Sequence, residues 1–279
     1  MIFSETVPIT EHRECAPSWY KIAFEAPHFA AETSPGQFFM VGVGCGTDPF
    51  LRRPMSLHRL VRRDDGKPVG FELLYKVVGR GTELLSKVRA GETLGVLGPL
   101  GHGFWIAKEA SQHCIVTGGT GVAPMPALTE MMSVSGIQPV VFYGARTGSE
   151  LVCTEDFEEY GADLRLFTDD GSLGVKGLVT DELEGLVSPG SGGGKGDSRT
   201  ALYACGPHGM LTAVACLAAR TGIPCQVSLE SRMGCGLGAC MSCAVRAAET
   251  GPEGEPRYIR VCLQGPVVDS QRVLWEAER

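Results

Sequence analysis

Cys235, Cys240 and Cys243 fall in one glycine-rich loop at C-x4-C-x2-C spacing, and Cys262 follows in Val-Cys-Leu-Gln-Gly-Pro. Thiolates are soft metal ligands, and this spacing with one distant fourth cysteine matches a plant-type [2Fe–2S] centre. Four thiolates converge on two irons only if the chain wraps tightly. Gly234, Gly236, Gly238 and Ala239 permit that wrapping and leave backbone N–H groups free to point at sulfur. A zinc knot or a disulfide pair competes with this reading, although zinc sites more commonly use two separated C-x2-C hooks or mixed Cys/His ligands.

Three other stretches carry weaker chemistry. Arg52-Arg53-Pro54-Met55-Ser56 offers a guanidinium, a rigid turn and a hydroxyl within a few residues, and Leu74-Tyr75-Lys76-Val77-Val78-Gly79-Arg80-Gly81-Thr82 runs from a strand through glycines into a helix. A glycine turn that opens a helix suits an anion, because free N–H groups and the helix dipole both favour negative charge. A solvated strand end and a plain helix cap explain the same residues. Gly118-Gly119-Thr120-Gly121 follows an apolar run and precedes a helical one, the place where nucleotide-binding sheets hold pyrophosphate. It departs from G-x-G-x-x-G, with Pro124 in the last position, and a tight connection is the alternative. Cys205-Gly206-Pro207 ends a later strand on the same edge, which puts Cys205 at the mouth of the cleft or, equally, makes it a buried thiol.

These residues need a frame. Residues 1 to about 105 are short β-rich runs (20–25, 37–43, 71–78, 93–97) broken by Pro35-Gly36 and Asp65-Gly66, with one helix over residues 82–88 that Thr82 caps. Such runs predict a small antiparallel barrel. From about residue 110 strands and helices alternate: strands at 113–117, 139–143, 164–167, 201–204 and 226–229, helices at 124–132, 155–160 and 210–219. That alternation predicts a parallel sheet covered on both faces. Residues 188–198 form a Gly/Ser-rich loop with no assigned role.

The 279 residues suffice for two domains and a small module, and a net charge of −7 argues against a nucleic-acid partner. No apolar run has the length of a membrane span and the N-terminus lacks signal-peptide features, so a cytoplasmic location is expected. Eleven cysteines in such a chain are ligands, catalysts or core thiols before they are disulfides. Cys15, Cys45, Cys114, Cys153, Cys216 and Cys225 share no spacing and are expected to be mostly core residues.

Taken together, these motifs resemble the ferredoxin–NADP⁺ reductase family over almost the whole chain, and within it the electron-transfer subunits of NAD-dependent type 1B dihydroorotate dehydrogenases. The resemblance rests on Arg-Arg-Pro-Met-Ser, Leu-Leu-Tyr-Lys-Val-Val-Gly-Arg-Gly-Thr, Gly-Pro-Leu-Gly-His-Gly-Phe, Gly-Gly-Thr-Gly-Val-Ala-Pro, Thr-Asp-Asp-Gly-Ser, Ala-Cys-Gly-Pro and, most specifically, Glu-Ser-Arg-Met-Gly-Cys-Gly-Leu-Gly-Ala-Cys-Met-Ser-Cys. It implies an N-terminal antiparallel FAD-binding barrel (residues 1–106), a central parallel-sheet NAD(P)-binding α/β domain (107–229) and a small C-terminal [2Fe–2S] module (230–279).

By the same resemblance, Arg53, Pro54, Met55 and Ser56 grip FAD, with Arg53 on the pyrophosphate and Ser56 near the flavin N5. Leu74, Tyr75 and Lys76 line the flavin, and Gly81 and Thr82 hold pyrophosphate. Gly118, Gly119, Thr120, Gly121, Gly206 and Pro207 form the nicotinamide site, with Cys205 as its catalytic residue, and Cys235, Cys240, Cys243 and Cys262 ligate the cluster. Met55 stands where many reductases carry an aromatic ring. Arg146 ends the second sheet strand without the acid that selects NAD, so NADP stays open beside NAD.

The implied partner is an FMN-containing catalytic dihydroorotate dehydrogenase subunit, in a heterotetramer of two of each chain. The implied activity is electron transfer between that subunit and NAD⁺ in pyrimidine biosynthesis, with NADH diaphorase activity for the chain alone. The rival readings are a reductase subunit of a hydrogenase, sulfite reductase or NADH-dependent ferredoxin:NADP⁺ oxidoreductase complex, and a zinc-bearing protein without redox activity. Met233, Leu237 and Met241 are candidate docking contacts around the cluster loop.

Overall fold

The computed structural model describes residues 1–43, 48–187 and 200–275. Cys45 and the Gly/Ser-rich loop at 188–198 lie outside the described residues.

Six antiparallel strands close a barrel in the order β1-β2-β5-β4-β3-β6: β1 (Phe3–Ala16), β2 (Trp19–Glu25), β3 (Phe38–Val41), β4 (Arg53–Arg62), β5 (Pro68–Lys76) and β6 (Thr93–Leu100). Closure leaves no unpaired edge, which is what permits a strand as polar as β1. Its burial alternates around Val7 and Ile9 while most of its other residues face water. Phe24, Phe29, Phe39, Leu57, Phe71 and Leu73 fill the barrel. Two short helices interrupt it. α1 (Pro27–Glu32) was not expected, although Pro27 sits in its first turn, where proline fits. α2 (Arg80–Leu85) starts two residues before the expected helix, and Thr82 lies inside its first turn.

The second sheet has seven strands in the order β10-β9-β8-β7-β11-β12-β15: β7 (Gln112–Gly118), β8 (Val140–Ala145), β9 (Asp163–Thr168), β10 (Val175–Lys176), β11 (Thr200–Cys205), β12 (Cys225–Ser228) and β15 (Val267–Asp269). Six strands are parallel, and β15 joins β12 antiparallel. The sheet is therefore mixed at one edge, because the C-terminal segment returns to cover it. The helices are α3 (Met125–Val134), α4 (Glu155–Glu158), α5 (Val179–Val187) and α6 (His208–Thr221). α5 escaped the sequence reading. The remaining hairpin is β13 (Ala244–Thr250) with β14 (Pro256–Arg260), followed by α7 (Val261–Gln264), which carries Cys262.

Of the unassigned cysteines, Cys114, Cys153 and Cys225 are buried and Cys15 partly so, but Cys216 is exposed on α6. Among the described residues no helix is long and apolar enough to cross a membrane.

Candidate functional site

The four cysteines of the opening motif converge although Cys262 lies on a separate helix. Cys243 and Cys262 thiols are 3.2 Å apart and buried, while Cys235 is half-buried and Cys240 exposed. The loop turns its amides inward. Leu237 N and Ala239 N each donate to Cys235 Sγ at 3.3 Å, Cys240 N does so at 3.4 Å, Gly238 N donates to Cys262 Sγ at 3.1 Å, and Cys235 N to Cys240 Sγ at 3.4 Å.

Backbone N–H groups aimed at sulfur stabilise thiolate, the ligand form. The Ser242 hydroxyl, with backbone donors, draws the Cys240 thiol down to about 6. Burial and the neighbouring Cys243 push Cys262 up to about 12, because a second thiolate close by disfavours ionisation. The all-cysteine donor set with inward amides fits a [2Fe–2S] cluster. Arg260, which sequence reasoning missed, donates to Gly238 O at 3.0 Å and ties β14 to the loop. Gly236, at φ 72°, rests on the barrel: a Cβ there would lie 2.6 Å from Met40 Cγ and 3.2 Å from Leu100 Cδ1.

On the barrel, β4 and the start of α2 come together. A Cβ on Gly81 would overlap the Arg53 guanidinium, so the two segments singled out as anion-binding form one cradle. The first amide of α2 to close on a backbone carbonyl is Glu83 N, bonded to Gly79 O at 2.9 Å. Helix geometry therefore leaves the N–H groups of Arg80, Gly81 and Thr82 without intrahelical acceptors. Thr82 Oγ1 accepts from Val78 N at 2.9 Å and Gly79 N at 3.2 Å, which fixes the turn. A guanidinium against a glycine at a helix start fits a pyrophosphate.

The other predicted flavin residues diverge. Ser56 and Pro54 are half-buried beside Arg53, but Met55 packs inside the barrel. Leu74, Tyr75 and Lys76 do not share a face, because alternate strand residues point in opposite directions. Tyr75 turns to Tyr20 (stacked at 5.6 Å) and its hydroxyl lies 2.9 Å from His12 Nε2. Leu74 packs with Trp19 and Phe104, and Lys76 reaches over the Trp19 ring at 5.4 Å.

Lys76 and Trp19 form one wall of a cavity of about 500 Å³. Its other walls are the ends of the parallel strands with the turns after them, Gly118, Gly119 and Thr120 at β7, Ala145 and Arg146 at β8, Asp169 after β9 and Pro207 after β11, and the face of α6 at Met210 and Ala213. The strand order reverses direction between β7 and β11, where open α/β sheets bind ligands. Gly121 and Gly206 shape this floor from behind. A Cβ on Gly121 would overlap the Cys205 carbonyl, and one on Gly206 would lie 2.6 Å from Met210 Cε. Thr120 Oγ1 also donates to Glu230 Oε1 at 3.3 Å, which links the glycine turn to the cysteine segment. Cys205 is buried at 2 % exposure and does not line the cavity, because Gly121 packs directly on its carbonyl. Burial pushes its thiol up, with Glu230 adding to the effect.

Comparisons with known proteins follow the same division. The family model for the iron-sulfur cluster binding domain of dihydroorotate dehydrogenase B matches residues 230–274, and that for the oxidoreductase NAD-binding domain matches residues 115–215. The dihydroorotate dehydrogenase B (NAD⁺) electron transfer subunit of Desulforamulus reducens is 38% identical over 94% of both chains. That of Bacillus caldolyticus is 36% identical over 98% of this chain and all of its own. Among solved structures, the NADH-dependent reduced ferredoxin-NADP oxidoreductase matches with a TM-score of 0.77 and 27% identity, over 96% of this chain and 90% of that one. A ferredoxin NADP⁺ reductase from Neisseria gonorrhoeae shares the fold at a TM-score of 0.63 and 16% identity, over 78% and 92%.

Proposed function

Because the chain belongs to the family of dihydroorotate dehydrogenase B (NAD⁺) electron transfer subunits, we propose that it carries electrons from a catalytic dihydroorotate dehydrogenase subunit to NAD⁺ in pyrimidine biosynthesis. The convergence of four thiols under inward-pointing amides carries the reading, because such a site serves single-electron transfer and not the oxidation of an organic substrate. When bound, FAD couples the two-electron hydride chemistry of NAD(H) to the one-electron chemistry of a [2Fe–2S] cluster.

The chain's own residues hold and separate these groups. In this reading Cys235, Cys240, Cys243 and Cys262 ligate the cluster. Arg53 with Gly81 and Thr82 holds the FAD pyrophosphate, Ser56 and Pro54 flank the flavin, and Leu74, Lys76 and the inward Met55 and Tyr75 support that wall. Gly118, Gly119, Thr120, Gly121, Gly206 and Pro207 shape the nicotinamide site. Cys205, kept neutral by burial, backs it. We assign residues 1–106, 107–229 and 230–279 as the FAD, nicotinamide and cluster units, and the cytoplasm as the location. The complex is a heterotetramer of two of each chain.

The test is co-purification with the catalytic subunit, followed by dihydroorotate-dependent NAD⁺ reduction. Cys235→Ser should abolish the coupled reaction and the iron absorbance, and leave NADH-to-dye activity largely intact. Equal loss of both activities contradicts the role given to the cluster. Co-purification with a hydrogenase or sulfite reductase subunit instead would assign the same wire to another catalyst.

A further inference from the structure

The sequence has an arginine, and no acid, at the end of β8, where an acid selects NAD and an arginine can receive the 2′-phosphate of NADP. In the structure that arginine is already engaged. Arg146 donates from Nη2 to Glu150 Oε1 at 2.7 Å and from Nε to Glu150 Oε2 at 3.1 Å, a two-point pairing. Lys76, from the barrel, lies 3.5 Å from the same carboxylate. All three residues line the cavity, together with Asp169.

We propose that Glu150 is the residue that selects NAD(H) over NADP(H), by occupying Arg146 and holding a carboxylate where a 2′-phosphate would enter. The proposal rests on the reading of this cavity as the nicotinamide nucleotide site. Arg146 and Lys76 are balanced there by Glu150 and Asp169. A dianionic phosphate would have to displace Glu150 from Arg146 and would still face two carboxylates. A ribose with free hydroxyls meets a ready acceptor. Glu150 is held for this task. Its amide donates to Thr147 O at 3.0 Å, its carbonyl accepts from the buried Tyr143 hydroxyl at 3.4 Å, and Val152 N donates to that hydroxyl at 3.1 Å. The Arg146 hydrogen bond also keeps the Glu150 carboxyl below the usual range, so it is ionised at neutral pH.

Equilibrium titration of the cofactor-loaded protein with NAD⁺ and with NADP⁺ tests this, beside NADH- and NADPH-to-dye kinetics. Glu150→Gln should tighten NADP⁺ relative to NAD⁺ by about tenfold or more, the scale on which a juxtaposed like charge discriminates. The double variant Arg146→Ala with Glu150→Gln should lose that gain, because the phosphate then has no freed guanidinium to meet. An unchanged ratio of the two dissociation constants in Glu150→Gln overturns the proposal, as does a gain that survives in the double variant. Ala213→Trp, which intrudes on the cavity from α6, separates the two levels. It should weaken both dinucleotides alike. If it weakens both while Glu150→Gln leaves the ratio unmoved, selectivity alone is refuted. If it weakens neither, the site reading falls with it.

Discussion

Toward the parallel sheet the barrel presents charge, and toward the cysteine loop it presents methyl and methylene groups. On the first side Lys21, His58 and Arg59 close on one carboxylate. Asp156 Oδ2 lies 2.5 Å from Lys21 Nζ and 3.0 Å from His58 Nε2, and Oδ1 lies 2.8 Å from Arg59 Nη1. Lys21, His58 and Asp156 are almost completely buried, inside an apolar layer that includes Trp19, Leu74, Val122 and Met125. On the second side Phe38, Met40 and Leu100 pack in one core with Cys243, Val261 and Cys262. The backbone adds a short bridge in which His102 N donates to Gly265 O at 2.6 Å. The ionic seam fixes orientation, since its bonds have one satisfied geometry. The apolar seam permits close approach, since nothing there needs solvent. An electron path between flavin and cluster is better served by the second.

The ionic seam is therefore the one that a single deletion should break most severely. Asp156→Ala leaves a buried lysine and histidine unpaired, and removal of one partner from a buried pair costs about 3–5 kcal/mol. Urea titration of the holoprotein measures it; a loss below about 1 kcal/mol would mean that water relieves the seam. The same residue sets a pH signature. Burial alone would raise the Asp156 carboxyl, but the His58 hydrogen bond and the Lys21 ammonium outweigh it and hold it well below the usual range. A depressed folded-state pKa gives stability that is complete above the unfolded value, about 3.9. That stability is lost as pH falls through the lower folded value. Lys21 mirrors this at the alkaline end. Burial alone would lower its pKa, but the Asp156 bond and charge together with Cys153 and Glu72 outweigh burial and raise it, so its contribution is full below about 10.4 and fades as pH climbs through the folded value. The contributions of Asp156 and Lys21 should thus be flat from about pH 4 to 10, and Asp156→Ala should remove the acid limb.

The apolar seam should respond less in stability and more in rate. Gly236→Ala puts a methyl against Met40 and Leu100 at a left-handed position, where overpacking and backbone strain together cost about 1–3 kcal/mol. The strain relaxes by lifting the loop from the barrel, so the cluster should reduce more slowly after mixing with NADH, while flavin reduction keeps its rate. Stopped-flow absorbance separates the two phases. An unchanged cluster phase would show that the contact does not set the separation.

The two seams also differ in how far the sequence discloses them. The cysteine spacing and the glycines that turn its amides are local, and local spacing survives as a sequence signal. So do the strand–glycine–helix junctions at 118–121 and 79–82, because each is one contiguous turn. The ionic cluster joins residues 98 and 135 positions apart and carries no periodic trace. Glu150 is in the same position. It looks like one acid among 32 until the turn at 148–150 brings it against Arg146. Sidedness was the other loss. Three successive strand residues cannot line one flavin face, so Tyr75 and Met55 belong to the barrel interior, a constraint that alternation alone supplies. β4 was hidden by its arginines, and two of these, Arg59 and Arg62, turn out to reach acids on the helices α4 and α3 that cover the neighbouring sheet.

Arg62 and Glu130 mark the rim of the ionic seam and sharpen the comparison from the weak end. Arg62 Nε lies 2.8 Å from Glu130 Oε1, as close as the Arg59 contact at the centre, yet 39% of the arginine side chain is exposed. If distance decided the strength of these pairs, Arg62→Ala would approach the loss at Asp156. If burial decides it, water screens the rim and the loss stays below about 1 kcal/mol. We expect the second. The same urea titration measures it, repeated at high salt. The rim contribution should vanish with added salt, whereas the Asp156 contribution should persist, because buried pairs are screened little. A rim loss that matches the central one, or that ignores salt, would place the energetic weight of the seam in charge proximity and not in exclusion of water.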